Sequence, residues 1–171
     1  MKKLAFLFTA FLGFQLAIAQ TVVIPNVWIN EIHYDNAGTD TLEGYEIAGP
    51  AGTDLSCYKV YLYNGGVSTG QVYSTDVLTG VIPDQGCGFG AVWFSKPQDG
   101  MQNGINDGIA LEYAPVATGC NVTQTDTILQ FLSYEGSFTA LTGRATGITS
   151  TDVGVSETGS TLVGFSLQLG G

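Results

Sequence analysis

Apolar and polar residues alternate over short stretches of this chain, and turn-forming residues separate those stretches. Alternation with a period of two is typical of strands that bury one face, and no sustained helical period of about 3.6 follows residue 20. Turn signals such as Asn64-Gly65-Gly66 recur at short intervals. The pattern predicts an all-β domain over residues 20–171, built as a sandwich or a barrel.

Strand character is found at residues 22–34, 44–48, 58–63, 71–78, 89–94, 109–113, 127–134 and 161–169. Pro25-Asn26 is expected to divide the first stretch, because proline is confined to the starts and edges of strands. Residues 89–94 are almost wholly apolar, which predicts a strand in the middle of a sheet. In the last stretch, Phe165, Leu167 and Leu169 are expected to share one face.

The core prediction follows from the alternation within these strands. Tyr58 shares its face with two aliphatic residues of the same stretch, whereas Lys59 lies on the opposite face. The residues predicted to be buried are Val60, Leu62, Ile109, Leu111, Phe131 and Leu167. Residues 135–159 hold few large apolar side chains and exceed an ordinary connection in length, so they are interpreted as either functional or poorly structured.

The first 19 residues have the features of a cleavable signal peptide. Lys2 and Lys3 are basic, residues 4–16 are almost wholly apolar, and Ala17-Ile18-Ala19 fits a small-x-small cleavage site. A membrane anchor is the alternative, but the apolar run is shorter than the roughly 20 residues that a span requires. The sequence therefore predicts export to the extracellular space or the cell surface, with no membrane insertion after cleavage.

The exported chain is strongly acidic. All 15 acidic residues lie after residue 19, against the basic residues Lys59, Lys96 and Arg144, which gives a net charge of −12. Such a surface repels phosphate backbones, so direct nucleic-acid binding is not expected. Divalent cations or a partner with a basic patch are favoured, although acidity also serves solubility alone.

Three cysteines, Cys57, Cys87 and Cys120, follow the predicted signal peptide. Export permits a disulfide, and an odd number leaves at least one cysteine unpaired or bonded to another chain. Their spacing matches no metal-binding knuckle. All three pairings remain open from the sequence.

Several motifs, taken in order, resemble the bacterial lamin-tail domain and in particular its secreted branch. They are Ile29-Asn30-Glu31-Ile32, residues 43–47 (EGYEI), Asp54-Leu55-Ser56 before residues 58–62, Gln102-Asn103-Gly104, and residues 107–111 (DGIAL), 130–138 (QFLSYEGSF) and 153–157 (VGVSE). The resemblance covers residues 27–169. It implies an immunoglobulin-like β-sandwich and a non-catalytic module, of the kind that in secreted bacterial proteins stands beside nucleases, phosphatases or surface-sorting segments.

The chain departs from that family at three places. Cys57 stands where the family has a small turn residue, and Tyr58 where it has tryptophan. The sequence ends at Gly170-Gly171, where relatives continue into a final strand. The expectation is either a fragment of a longer protein or a sandwich that lacks an edge strand and exposes a template for pairing.

The best ligand candidate is the loop between the first two strands, where Asp35, Asn36, Asp40 and Glu43 offer oxygen ligands and Gly38 permits a sharp turn. Calcium takes six to eight oxygens from carboxylates, amides and carbonyls. The spacing is not that of an EF-hand, and ordinary turns also use Asp and Asn to cap their own backbone. The sequence therefore offers a calcium site at this loop as a hypothesis.

Catalytic chemistry has weaker support. His33 is the only histidine and no G-x-S-x-G elbow is present, so a general base at His33 is not expected. Glu31 and Glu46 lie on strands that could be neighbours, as a pair of glycosidase carboxylates would, with Trp28 and Trp93 in stacking roles. No catalytic residue is assigned.

We therefore expect a secreted, non-catalytic binding or scaffolding module with a protein or cell-surface partner. The alternative is the N-terminal accessory domain of an extracellular hydrolase, a nuclease or a phosphatase.

Overall fold

The computed structural model describes residues 26–66, 70–121 and 123–170. Its strands are β1 (Trp28–His33), β2 (Gly44–Pro50), β3 (Tyr58–Asn64), β4 (Gln71–Val77), β5 (Phe89–Ser95), β6 (Gly108–Tyr113), β7 (Thr127–Ser133), β8 (Thr151–Asp152) and β9 (Leu167–Gln168). Helical structure in these residues is limited to a 3-10 turn at Leu55–Cys57 and to α1 (Pro115–Thr118). Helices of this length cannot cross a membrane, and no membrane-spanning helix occurs in the part of the chain that the structure describes.

The strands form two sheets. One has the order β5-β2-β1-β9 and the other the order β4-β3-β6-β7-β8. Pairing is antiparallel except between β7 and β8. The mostly β architecture in two packed layers confirms the all-β sandwich prediction. The predicted signal peptide lies outside the described residues.

The main core lies between the two sheets. Ile47 on β2, Leu62 on β3 and Leu111 on β6 are all buried in it. The residues predicted for the core are buried at Val60, Leu62, Ile109, Leu111 and Phe131. Leu167 is only partly buried and packs against the edge of this core.

A second apolar cluster covers the outer face of the five-stranded sheet. Phe138 packs its ring 6.1 Å from Tyr63 and, edge-on, 5.2 Å from Phe131. The hydroxyl of Tyr63 accepts a hydrogen bond from the backbone N–H of Ala145. Residues 138–145 therefore form a layer of the fold. Of the two interpretations of residues 135–159, functional or poorly structured, the second is wrong for these residues.

Strand β5 is an edge strand, so the prediction that it lies in the middle of a sheet is wrong. Its apolar residues divide between two faces. Val92 and Phe94 pack against the main core, whereas Phe89 and Trp93 point away from it and are 50% and 38% exposed. A run of apolar residues therefore marks a strand with apolar side chains on both faces, even though one of those faces meets solvent.

The predicted last strand is also shorter than expected. Only Leu167–Gln168 pairs with β1, and Phe165 and Leu169 are exposed. Gly164 adopts a left-handed conformation with φ 90°, and the N–H of Phe165 donates to the carbonyl of Leu162. Glycine adopts this conformation at little cost because it has no Cβ. The turn that Gly164 forms interrupts the predicted strand.

A disulfide joins Cys57 to Cys120, and Cys87 is free and exposed. The bond ties the turn before β3 to the loop after α1, across a sequence separation of 63 residues. This is one of the three pairings that the sequence left open.

Candidate functional site

The acidic loop between β1 and β2 holds the residues proposed as calcium ligands. The two oxygens of Asp40 accept from the N–H of Asn36 at 3.1 Å and from the amide of Asn103 at 3.3 Å. Burial raises the pKa of Asp35, and the charge of the neighbouring Asp40, with a hydrogen bond between the two carboxyl groups, raises it further. The structure therefore brings Asp35 and Asp40 together.

Glu43 is engaged elsewhere. It is fully buried, and its carboxylate accepts from the backbone N–H groups of Gly100 at 2.8 Å and Met101 at 3.3 Å. Burial raises the pKa of Glu43 even though those two hydrogen bonds lower it. This carboxylate fastens the loop after β5 to the start of β2, which is a structural role.

Because the Glu43 carboxylate binds the loop after β5, the calcium hypothesis rests on Asp35, Asn36 and Asp40. The side-chain oxygen of Asn36 is buried and has no hydrogen-bond partner. No group of three or more His, Cys, Asp or Glu side chains suited to a metal ion occurs within residues 26–66, 70–121 and 123–170. Calcium binding stays a prediction.

His33 lies at the end of β1 with both ring nitrogens engaged. Nδ1 is 2.7 Å from a carboxylate oxygen of Glu157, and Nε2 is 3.0 Å from the carbonyl of Thr41. Burial by itself lowers the pKa of His33. The hydrogen bond and charge of Glu157, together with the Thr41 carbonyl and the charge of Glu43, outweigh burial and leave the pKa above its ordinary value of 6.5. Through its contact with Glu157, the His33 ring connects residue 157 to the end of β1.

Glu31 and Glu46 stand opposite each other in the register of β1 and β2, which confirms that their strands are neighbours. A bulge between Ile29 and Glu31 displaces β1 at this point. Glu46 accepts a hydrogen bond from the amide of Asn30 at 2.8 Å.

The outer side of the four-stranded sheet has a different character, and we refer to it as the aromatic face. Its direction follows from alternation: Ile29, Ile47 and Val92 pack inward, so their neighbours along each strand point outward. The outward side chains that define the aromatic face are Trp28, Asn30, Glu46, Phe89 and Trp93. Three of them are aromatic, and each keeps part of its ring in contact with solvent.

Trp93 lies across the strand beside it. A Cβ built on Gly44 would fall 2.7 Å from Cζ2 and 2.9 Å from Cε2 of Trp93, closer than real Cβ atoms approach. The indole therefore packs against the bare backbone of β2, and only glycine at position 44 leaves room for it. This contact fixes the ring in place while part of it stays exposed.

Trp28 begins a chain of polar contacts along the same face. Its indole N–H donates to the side-chain oxygen of Asn30 at 3.2 Å, and the amide nitrogen of Asn30 donates to Glu46. On its other side the Trp28 ring lies 6.3 Å from the ring of Phe89. Aromatic rings thus flank a hydrogen-bonded amide and carboxylate.

A shallow cavity of about 480 Å³ opens beside Trp93 at the β5 edge. Asp76 and Lys96 line it and form an ion pair with an N–O distance of 2.9 Å. The hydroxyl of Tyr45 donates to the same carboxylate at 2.6 Å. Polar groups held in fixed positions therefore border the edge of the aromatic face.

The sequence matches no family model, and no curated protein or solved structure is found to be similar to it.

Two features of the structure were not predicted from the sequence. Phe89 was assigned to a central strand, although its position two residues before Ala91 and four before Trp93 places it on the same face as the latter. The sequence places Glu157 in one of the family-like motifs, and no local signal connects it with His33, 124 residues away. The alternation within residues 89–94 was the signal available for the aromatic face.

Proposed function

We propose that this protein is a secreted, non-catalytic binding module with an immunoglobulin-like sandwich fold, related to the lamin-tail domains that its motifs resemble. It uses the aromatic face to hold a component of a cell surface. The observation that supports this most is the position of Trp28, Phe89 and Trp93 on one side of one sheet, all partly exposed.

Exposed aromatic side chains of this kind are typical of recognition surfaces. Large rings supply contact area at a small entropic cost and are enriched at the centres of interfaces. Here the rings are held in advance, Trp93 by the backbone at Gly44 and Trp28 by Asn30. Binding then requires little further ordering, which favours affinity.

The outward amide of Asn30 and carboxylate of Glu46 also favour binding, because they can form hydrogen bonds with a ligand. Asn30 and Glu46 are bonded to each other and lie on a sheet surface. The same module serves equally well as an accessory domain that brings an extracellular hydrolase to its substrate, which is the alternative that the family resemblance implies.

Sedimentation with bacterial cell envelopes tests the proposal. The exported protein is mixed with envelope fragments and centrifuged, and the Trp93→Ala and Trp28→Ala variants are compared with it. We expect each variant to sediment about tenfold less well, as for the loss of roughly 1.4 kcal/mol of contact energy. Phe165→Ala is the control, because Phe165 is an exposed aromatic residue that is not among the side chains that define the aromatic face. Equal sedimentation of all four proteins would refute the proposal.

A further inference from the structure

We infer that the ligand of the aromatic face is a neutral polysaccharide, an inference that rests on the function proposed above. The face combines two features that suit sugar rings, namely exposed aromatic rings and hydrogen-bonding groups between them. The outward side chains that define it include no cation, which an anionic ligand would favour.

The exposed rings suit the apolar side of a sugar. A pyranose presents C–H groups on its faces and hydroxyl groups around its rim. The negative face of an aromatic ring attracts such polarised C–H groups, and stacking also removes apolar area from water. Trp93 packs against the backbone at Gly44 and is 38% exposed, so part of its indole is left for a ligand.

The rings are spaced for a chain of sugars. Trp28 pairs with Ala48, and Ala48 pairs with Ala91, two residues before Trp93. Two strand spacings and one two-residue step separate the tryptophan Cα atoms by about 12 Å. A ligand of several linked sugar rings can extend over this distance.

The polar groups between the tryptophans suit hydroxyl groups. Glu46 uses one carboxylate oxygen to accept from Asn30, and its other oxygen has no hydrogen-bond partner among the described residues. A carboxylate accepts hydrogen bonds only, and a sugar hydroxyl donates one. Asp76, in the adjacent cavity near Trp93, adds a further acceptor, whereas Lys96 already donates to Ser74 and to both oxygens of Asp76.

Charge selects a neutral glycan. Glu46 lies on the face and Glu31 pairs opposite it, while the nearby Lys96 is neutralised by Asp76. The exported chain carries a net charge of −12. An anionic polysaccharide would be repelled at short range and, at low salt, over about one Debye length.

Chemical treatment of the envelopes provides the first test. Periodate cleaves the vicinal diols of sugar rings, and protease removes proteins. We expect sedimentation to fall at least tenfold after periodate and to be unchanged after protease. The opposite pattern would overturn the polysaccharide inference in favour of a protein ligand, while the proposed function would stand.

Affinity electrophoresis provides the second test. Native gels contain a neutral galactomannan, a neutral xyloglucan or mixed-linkage glucan, or the anionic polymer alginate. We expect at least one neutral polymer to retard the protein and alginate to have no effect. Trp93→Ala should abolish the retardation, and Trp93→Phe should restore part of it, since phenylalanine keeps an aromatic ring at this position.

Three results of the gels would overturn the inference. They are stronger retardation by alginate, retardation that is equal in Trp93→Ala, and no retardation by any neutral polymer together with periodate-resistant binding to envelopes. Far-UV circular dichroism melts of each variant exclude loss of fold as the cause.

Discussion

At the residue scale, Glu157 holds the end of β1. One carboxylate oxygen meets His33, and the other accepts from the backbone N–H groups of Tyr34 and Asp35 at 2.6 and 2.9 Å. The N–H of Glu157 donates to the hydroxyl of Tyr34, whose ring stacks 3.8 Å from that of Tyr134. One buried acidic residue thus anchors a distant segment to the first strand.

The raised pKa of His33 makes stability depend on pH. The folded pKa exceeds the unfolded value of about 6.5, so this contribution is fully present below that pH and is lost as the pH rises through the folded pKa. We expect the free energy of unfolding in urea to fall as the pH rises above about 6.5, and to fall less in His33→Gln. Identical pH profiles for the two proteins would contradict this role of His33.

Calcium binding at Asp35 and Asp40 is a second prediction at this scale. A weak extracellular site with Kd of about 1 mM would stabilise the fold by about 1.4 kcal/mol at roughly 10 mM calcium. We expect the melting temperature to rise with calcium, to fall on chelation, and to respond less in Asp40→Asn. Magnesium is the control ion, because it demands a tighter octahedral geometry. A melting temperature that ignores calcium would leave the two residues as turn formers.

At the element scale, the segment after β7 behaves as a layer of the fold. Phe138 is buried against Tyr63 and Phe131, although few large apolar residues accompany it in the sequence. From the sequence, the length of this segment indicated that it was either functional or poorly structured. The contribution of a single buried ring such as Phe138 cannot be predicted from average composition. The small residues Ala140 and Ala145 are buried beside Phe138 in the same cluster.

Truncation of Phe138 tests this layer. Phe138→Ala should lower the free energy of unfolding by about 3–5 kcal/mol, since it removes a buried ring and leaves a cavity. Leu141→Ala is the matched control, because Leu141 lies in the same segment with its side chain exposed, and we expect it to cost less than about 1 kcal/mol. Equal effects of the two substitutions in denaturant melts would show that the segment does not pack as described.

At the scale of the whole molecule, the fold class and much of the core followed from the sequence, because alternation reports directly which side chains are buried. Val60, Leu62 and Leu111 illustrate this. The order of the strands did not follow from the sequence. Strands β2 and β5 are far apart along the chain, and alternation within one strand does not identify the strand that it pairs with. The position of β5 at an edge therefore could not be read from its apolar run, nor could the contact between His33 and Glu157.

The disulfide is a constraint on the whole chain. It closes a loop across 63 residues, and the chain-entropy model gives it about 4 kcal/mol of stability. The double substitution Cys57→Ser with Cys120→Ser should lower the free energy of unfolding by that order. Cys87→Ser is the control and should change it little, because Cys87 is exposed and unbonded. A comparable loss in the control would mean that the pairing is different.

The central claim is that ligands contact the aromatic face, and the tryptophan side chains report on it directly. The chain holds two tryptophans, Trp28 and Trp93, and both lie on that face. Their indole N–H groups give two separate signals in a ¹H–¹⁵N spectrum of the labelled protein. During titration with solubilised envelope polysaccharide, both indole signals should shift or broaden, while the backbone amide of Phe138, in the segment that packs on the outer face of the five-stranded sheet, should not. Binding that shifts other amides and leaves both indole signals unchanged would contradict the account.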